Sequence, residues 1–189
     1  MLFSLKEQVE IVENLIRVSD MLVFDAKTKD NKKNFNIADI ILSHNGYVSG
    51  IVVSGKGILA IKHYVPSADI ERINREDITI KKYCRFKPKL IKNLKYASKN
   101  LLRKKVIAEN GTFMGILSDF YIHAEKMQVM AVEVARSLFE DLFTGRILIP
   151  GNIIADKADA IKITEIQLEN RLHNTKGIIN AIDDGLKRN

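Results

Sequence analysis

The stretch from Ser118 to Ile163, SDFYIHAEKMQVMAVEVARSLFEDLFTGRILIPGNIIADKADAIKI, constrains this chain more than any other. It reads as short apolar strands joined by turns, and a looser copy of it lies upstream, between Ala38 and Ile80. Asp39 matches Asp119, Ile51 and Val53 match Val132 and Val134, Pro66 matches Pro150, and Ile78 and Ile80 match Ile161 and Ile163. The offsets of 80, 81, 84 and 83 residues form a nearly constant shift, the mark of two small β units in tandem. Five or so short strands per unit, with Gly-rich turns between them, are too few for a two-sheet sandwich and predict a small closed or partly closed barrel.

In chain order, Ser4 and Glu7 match a capping box, and Leu5, Val9, Val12 and Ile16 follow helical spacing, which favours a short N-terminal helix over the extended lead-in that the β-branched residues there would also allow. Met21 to Phe24 reads as a strand, and the AKTKDNKKN that follows, with no large apolar side chain, as a loop. Asn45-Gly46 lies between the apolar runs Ile37–Leu42 and Val48–Val53 and predicts a type I′ hairpin; Asn110-Gly111 gives the same signal in the second unit. Ile58 to Val65 should end at Pro66, which donates no ladder hydrogen bond. Along Val129 to Val134, Met130, Val132 and Val134 would share a fully apolar face, opposite a mixed face carrying Glu133. After Pro88, Leu90, Ile91, Leu94 and Ala97 or Ser98 have helical spacing, which fits a short basic helix between the units equally with a linker of no fixed structure. Thr164 and Gln167, followed by Leu168, Leu172, Thr175, Ile179, Ile182 and Leu186, predict a C-terminal helix. The resulting division is a first β unit over residues 1–80, a basic connector over 81–100, a second unit over 101–164 and a helical tail over 165–189.

Charge enters because it is uneven. Of the 30 basic residues behind the net charge of +7, eleven fall between Lys81 and Lys105, where there is no acid; the rest of the chain holds 19 against 23 acidic residues. Lys81, Lys82, Arg85, Lys87, Lys89, Lys92, Lys95, Arg103, Lys104 and Lys105 are therefore candidates for binding phosphate-rich partners. Interleaved Tyr83, Phe86 and Tyr96 have the composition that stacks on single-stranded bases, although packing against two β units needs the same residues. A single cysteine, an early run of charge at the N-terminus and no long apolar run point to a soluble chain in a reducing cytoplasm, with no transmembrane segment.

Catalytic signatures are missing. His44, His63, His123 and His173 fall in separate segments without metal-ligand spacing and read as surface residues. No phosphate-binding glycine loop or nucleophile elbow is present, so no cofactor, metal or catalytic residue is expected. Asp39 and Asp119 read as residues that end or orient a strand in each unit. Between Ser137 and Arg146, Leu138, Phe139, Leu142 and Phe143 replace the compact SGKG turn of the first unit; they either pack on the sister unit or the C-terminal helix, the favoured reading, or are the candidate partner-binding residues.

The segments LLRKKVIAENGTFMGILSDFYI and RILIPGNIIADKADAIKI, with the Val129–Val134 strand between them, resemble a PRC-barrel domain, the β module of the photosynthetic reaction-centre H subunit and of the ribosome maturation factor RimM. IADIIL, GIVVS and HYVP put a more diverged copy in the first half. The resemblance implies two tandem PRC-barrel-like domains acting as a binding or assembly module, not an enzyme. A protein partner is the first expectation, RNA or a ribonucleoprotein through residues 81–105 the second, and an anionic membrane surface the third; self-association is left open.

Overall fold

In a computed structural model, the described residues are 14–30, 33–55, 61–81, 84–85, 96–136, 146–150, 154–155, 160–164 and 172–175. Their strands are β1 (Leu15–Arg17), β2 (Asp25–Thr28), β3 (Asn34–Leu42), β4 (Val48–Ser54), β5 (Lys62–Pro66), β6 (Ile70–Ile73), β7 (Asp77–Ile80) and β8 (Cys84–Arg85). In the second half follow β9 (Lys105–Ala108), β10 (Phe113–His123), β11 (Gln128–Ala135), β12 (Arg146–Pro150), β13 (Ile154–Ala155), β14 (Ala160–Ile163) and β15 (Leu172–Thr175). Two single-turn helices, α1 (Val18–Met21) and α2 (Ser98–Leu101), lie between β1 and β2 and between β8 and β9.

The fold is mainly β, in two sheets with one strand order: β6-β7-β2-β3-β4-β5-β8 and β13-β14-β9-β10-β11-β12-β15. Even the exceptions to antiparallel pairing agree, since β2 runs parallel to β7 and β9 parallel to β14. Among the described residues no pairing joins the two ends of either order into a ring.

Register accounts for much that period-two reading misses. In both sheets the central hairpin carries two irregularities at matching places, after Ile37 and Ile41 in β3 and after Leu117 and Tyr121 in β10. The second leaves Met130 without an opposite residue, so Val129 and Val132 both face inward and Met130 is only half-buried. Each bulge resets which alternate residues face the core.

Several expectations are corrected. Residues 15–17 form strand β1 on the edge of β10, so at Ile16 the extended reading holds and the helical one does not; its β-branched side chain is buried in a sheet, and Ser4 to Val12 of the expected helix lie outside the described residues. The span expected to be a strand at Met21–Phe24 starts on the last residue of α1, and β2 begins in the segment expected to be a loop. Ala26 and Thr28 supply enough inward surface there, both being buried. At the Asn-Gly turns only Gly46 and Gly111 have positive φ, 75° and 85°. Gly46 N–H donates to the Ser43 carbonyl and Gly111 N–H to Ala108, so each is a three-residue loop ending in a left-handed glycine, not type I′. Residues 172–175 form β15, antiparallel to β12, instead of lying in a helix; pairing along an open strand edge satisfies backbone groups that the apolar stripe does not reveal. The choice between helix and linker at Leu90–Leu94 lies outside the described residues. β5 does end on Pro66.

The halves meet in two ways. First, the tips of the β3–β4 and β10–β11 hairpins pair with each other. Val48 N–H donates to Met127 O (2.7 Å) and Val129 N–H to Gly46 O (2.8 Å). Met127, like Gly46, has positive φ, at 48°. These bonds exchange under an 81-residue shift, as an approximate twofold axis requires. Second, the helices cross over. Helix α1 packs on β10 of the second sheet, and α2 packs on β3 of the first. Met21 and Leu101, 80 residues apart, are both buried, at 0% and 1% exposure.

One continuous apolar cluster results. It runs from Ile16 to Ile163 and contains Ile40, Ile51, Ile78 and Ile80 of the first sheet beside Phe120, Leu117, Ile149 and Ile161 of the second. Burying each such side chain contributes about 1.5–3 kcal/mol. Because the interior is common to both halves, urea unfolding should follow a single cooperative transition by both fluorescence and far-UV circular dichroism. Met21→Ala and Leu101→Ala should each lower stability by about 2–5 kcal/mol without splitting it; two resolved transitions would show independently folding halves.

Candidate functional site

The polar residues that the fold gathers are built around two aspartates. Asp119 is 1% exposed and lies just after the first bulge of β10, where its Oδ1 accepts from Phe120 N–H at 2.8 Å. Helix α1 supplies further donors: Ser19 Oγ at 2.5 Å to Oδ2 and Ser19 N–H at 3.3 Å to Oδ1. Asp39 repeats this in β3. Its Oδ1 accepts from Ile40 N–H at 2.9 Å, and α2 brings Ser98 Oγ at 2.6 Å and Lys99 N–H at 3.3 Å. A carboxylate removed from water is tolerated when several donors converge on it. Both aspartates thus orient mid-strand bulges and hold a helix from the other half, instead of ending strands.

Around Asp119 the second sheet adds an ion network on its outward face. Arg17 bridges Asp119 (Nε–Oδ2 3.1 Å) and Glu133 (Nη2–Oε1 3.4 Å). Glu133 also accepts from Arg146, from Ser118 Oγ at 2.9 Å and from Tyr121 OH at 3.1 Å. The Arg17 guanidinium lies 5.8 Å from the centre of the Tyr121 ring. Burial alone would raise the Glu133 pKa, but the Arg146 and Ser118 hydrogen bonds and the charge of Arg17 outweigh it and hold the carboxyl below its usual range. Burial, reinforced by Glu133, pushes the Tyr121 hydroxyl far above its ordinary value. A neutral tyrosine donating to an ionised glutamate is a holding arrangement. It offers neither a base nor a nucleophile poised near neutral pH.

The first sheet decides how to read this network. Position for position, Ala97 stands where Arg17 does, Ile41 where Tyr121 does, Val52 where Glu133 does and Ala38 where Ser118 does. There the same outward site is a small apolar cluster of Ile41, Val52 and Ala97, flanked by Ala38 and Tyr64. Its Gly50 lets the Tyr64 ring lie close, since a Cβ would come within 2.3 Å of the Val65 carbonyl and 2.8 Å of that ring. One location carries charges in one half and aliphatic groups in the other, and clamps the opposite chain segment in both.

The residues singled out from sequence fare unevenly. Leu138, Phe139, Leu142 and Phe143 lie outside the described residues, as do Lys82, Lys87, Lys89, Lys92 and Lys95. Lys81 is exposed at the end of the first sheet, with Nζ 3.4 Å from Ala68 O, and Arg85 belongs to its edge strand β8. Arg103 and Lys105 are exposed and Lys104 half-buried beside the second sheet. The described basic residues are therefore divided between two sheets. Of the histidines, His123 is buried at 3% exposure, which corrects its reading as a surface residue. Lack of metal-ligand spacing says nothing about burial: His123 ends β10 between β1 and β11, opposite Leu15 and Gln128, and its Nδ1 accepts from Lys126 N–H at 3.4 Å. Among the described residues no group of three or more histidines, cysteines or carboxylates is arranged to hold a metal, and no helix is long and apolar enough to cross a membrane. Sequence reading missed Arg17, Tyr121 and Arg146 altogether. Glu133 alone gave a signal, as a single charge within an apolar strand.

The fold is that of a mainly β chain whose two sheets share one strand order. Residues 95–169 match the family model of the PRC-barrel domain. No curated protein matches the chain. The matched stretch holds α2 and β9 to β14, so it includes the helix that packs on the first sheet and leaves out β1 and α1, which pack on its own. The unit that the family model spans is completed here by residues from the other half.

If the outward network acts as a clamp, giving it the residues of the first sheet should preserve the fold. Arg17→Ala with Tyr121→Ile and Glu133→Val should stay within about 1–2 kcal/mol of the parent, whereas Glu133→Val alone should cost about 3 kcal/mol by stranding its partners. Because the Glu133 pKa is depressed on folding, the stability it brings is present above its unfolded pKa and is lost as pH falls through its folded value. Glu133→Gln should therefore flatten the loss of urea stability between about pH 5 and about pH 3. An unchanged acid limb would show that Glu133 is not held as described.

Proposed function

We propose that this chain is a non-enzymatic adaptor that binds a protein within a larger assembly, on a frame of two tandem PRC-barrel-like units, the first over residues 1–80 and the second over 101–164. Support for the tandem reading comes from the shared strand order, the two matched bulges and the Asp39 and Asp119 helix clamps. The observation that carries the adaptor reading is the contrast between inside and outside. The two halves pack equivalent side chains into one core, yet equivalent outward positions differ in chemistry. In this reading the inward faces keep the frame and the outward faces are where partners differ. The most elaborate polar cluster is consumed in clamping β1 and α1, which leaves the frame a support instead of a reaction site.

A second reading, RNA or ribonucleoprotein binding, draws on Arg103 and Lys105, which are exposed on the second sheet, and on the basic residues of 81–105. A peripheral role at an anionic membrane would use the same charges.

Affinity purification of the tagged full chain from its own cytoplasm, at low and moderate salt and with and without nuclease, separates these. The expected result is a discrete protein, in fixed ratio to the chain, that survives both treatments and co-elutes with it on gel filtration. Material lost on nuclease treatment, with a steep salt dependence, would replace the adaptor reading with the RNA one. Binding only to vesicles containing acidic lipid would replace it with the membrane reading.

A further inference from the structure

The outward face of the second sheet continues from the ion network across β10, β9 and β14. At its centre, Phe113 is 56% exposed and Ile116 42%. A register shift between Phe113 and Gly115 sets both on one face although they are three residues apart, Phe113 opposite Ile107 and Ile116 opposite Lys105. On the far side of β9, Lys162 lies opposite Ile107 and Ala160 opposite Lys105. Arg103 is exposed immediately before β9. The result is a strip of three large apolar side chains bordered by Lys105 and Lys162, with the exposed Arg103 near the start of β9.

The first sheet provides an internal control. Asn34 occupies the position of Phe113, Asn36 that of Ile116, Lys27 that of Ile107, and Asp25 that of Lys105. Thr79 replaces Lys162, and Asp77 replaces Ala160. That surface satisfies itself: Lys27 pairs with Asp77 at 3.0 Å, Asn34 donates to Asp25 at 2.9 Å, and Asn74 donates to Asp77 at 2.8 Å. The strand order is the same, the second sheet differing by the extra residue Met114 at its register shift, and both inward faces are apolar. The solvated polar set on one outward face thus makes the apolar, basic set on the other a property of that surface and not a demand of the fold. Asp25 becomes a lysine and the carboxylate of Asp77 disappears, so both changes move the charge one way.

We infer that this face, centred on Phe113 and Ile116, docks an acidic peptide segment of a partner protein that carries apolar anchors. Charge complementarity selects an acidic partner, through Lys105, Lys162 and Arg103. The apolar strip selects a peptide over a nucleic acid, since two of its three large side chains are isoleucines, which offer bases no ring to stack on. It also disfavours a second copy of this chain in a symmetric pairing, which would bring like charges together. The inference rests on the adaptor reading and names the surface it would use.

The test uses the full chain and a fluorescein-labelled peptide repeating two glutamates and two leucines, followed by anisotropy. Control peptides exchange the glutamates for lysines or the leucines for serines; oligouridine and phosphatidylserine-containing vesicles are the other probes. Saturable binding of the acidic-apolar peptide alone is expected. It should weaken about tenfold in Phe113→Ser with Ile116→Ser, and again in Lys105→Glu with Lys162→Glu. Asn36→Ser on the first sheet should change nothing. The exposure of Phe113 and Ile116 makes folding of their variant easy to preserve, and circular dichroism verifies it. Equal binding of the serine peptide, binding of oligouridine or vesicles that the same variants abolish, or no binding of any probe each overturns the proposal. Repeating the affinity purification with Phe113→Ser and Ile116→Ser separates the two claims: a partner retained by this variant refutes the surface and leaves the adaptor reading intact, whereas no partner on the parent chain refutes that reading itself.

Discussion

Two carboxylates at β-bulges, the half-buried Asp39 and the buried Asp119, hold this structure together because neither is satisfied by its own half. A carboxylate out of water needs several donors, and a bulge turns one adjacent backbone N–H towards it. The remaining donors arrive on a helix of a single turn, too short to persist unaided. Ser19 reaches Asp119 only because α1 crosses to the second sheet, and Ser98 reaches Asp39 only because α2 crosses to the first. Met21 and Leu101 follow them into the interior. The crossing therefore couples an electrostatic requirement to apolar burial, and a single core follows from it.

This arrangement explains why the sequence was readable in part. The 80- to 84-residue shift is visible because inward positions such as Ile78 and Ile161, or the strand-ending Pro66 and Pro150, meet the same constraint twice. Both aspartates could be paired from sequence for the same reason. The bulges were not legible, since a one-residue change of register leaves no compositional mark, and they misplaced Met130. β1 and α1 were misread because their partners lie about a hundred residues away in β10, where no local periodicity reaches. β2 was taken for a loop because only two of its side chains face inward, and β15 for a helix because edge pairing is written in backbone groups.

The site was less legible than the fold. Charge counting drew attention to Lys81–Lys105 as one block, but chain proximity is not surface proximity: Lys81 and Arg85 go with the first sheet, Arg103 and Lys105 with the second. The Arg17–Glu133–Arg146 network joins residues spread over 130 positions of sequence. The contrast between Phe113 and Asn34, or between Lys105 and Asp25, carries meaning only once registers place them at equivalent points. Internal repetition supplies the reference that a lone domain would lack.

The approximate twofold axis between the paired hairpins has a consequence for stoichiometry. A symmetric dimer of separate chains would offer every outward patch twice, so a bivalent ligand could link dimers into open-ended strings. Here one covalent chain supplies both halves, and their exteriors do not match. Each outward surface therefore occurs once per molecule. A ligand that recognises either one meets a single site on each chain, in one orientation relative to the frame.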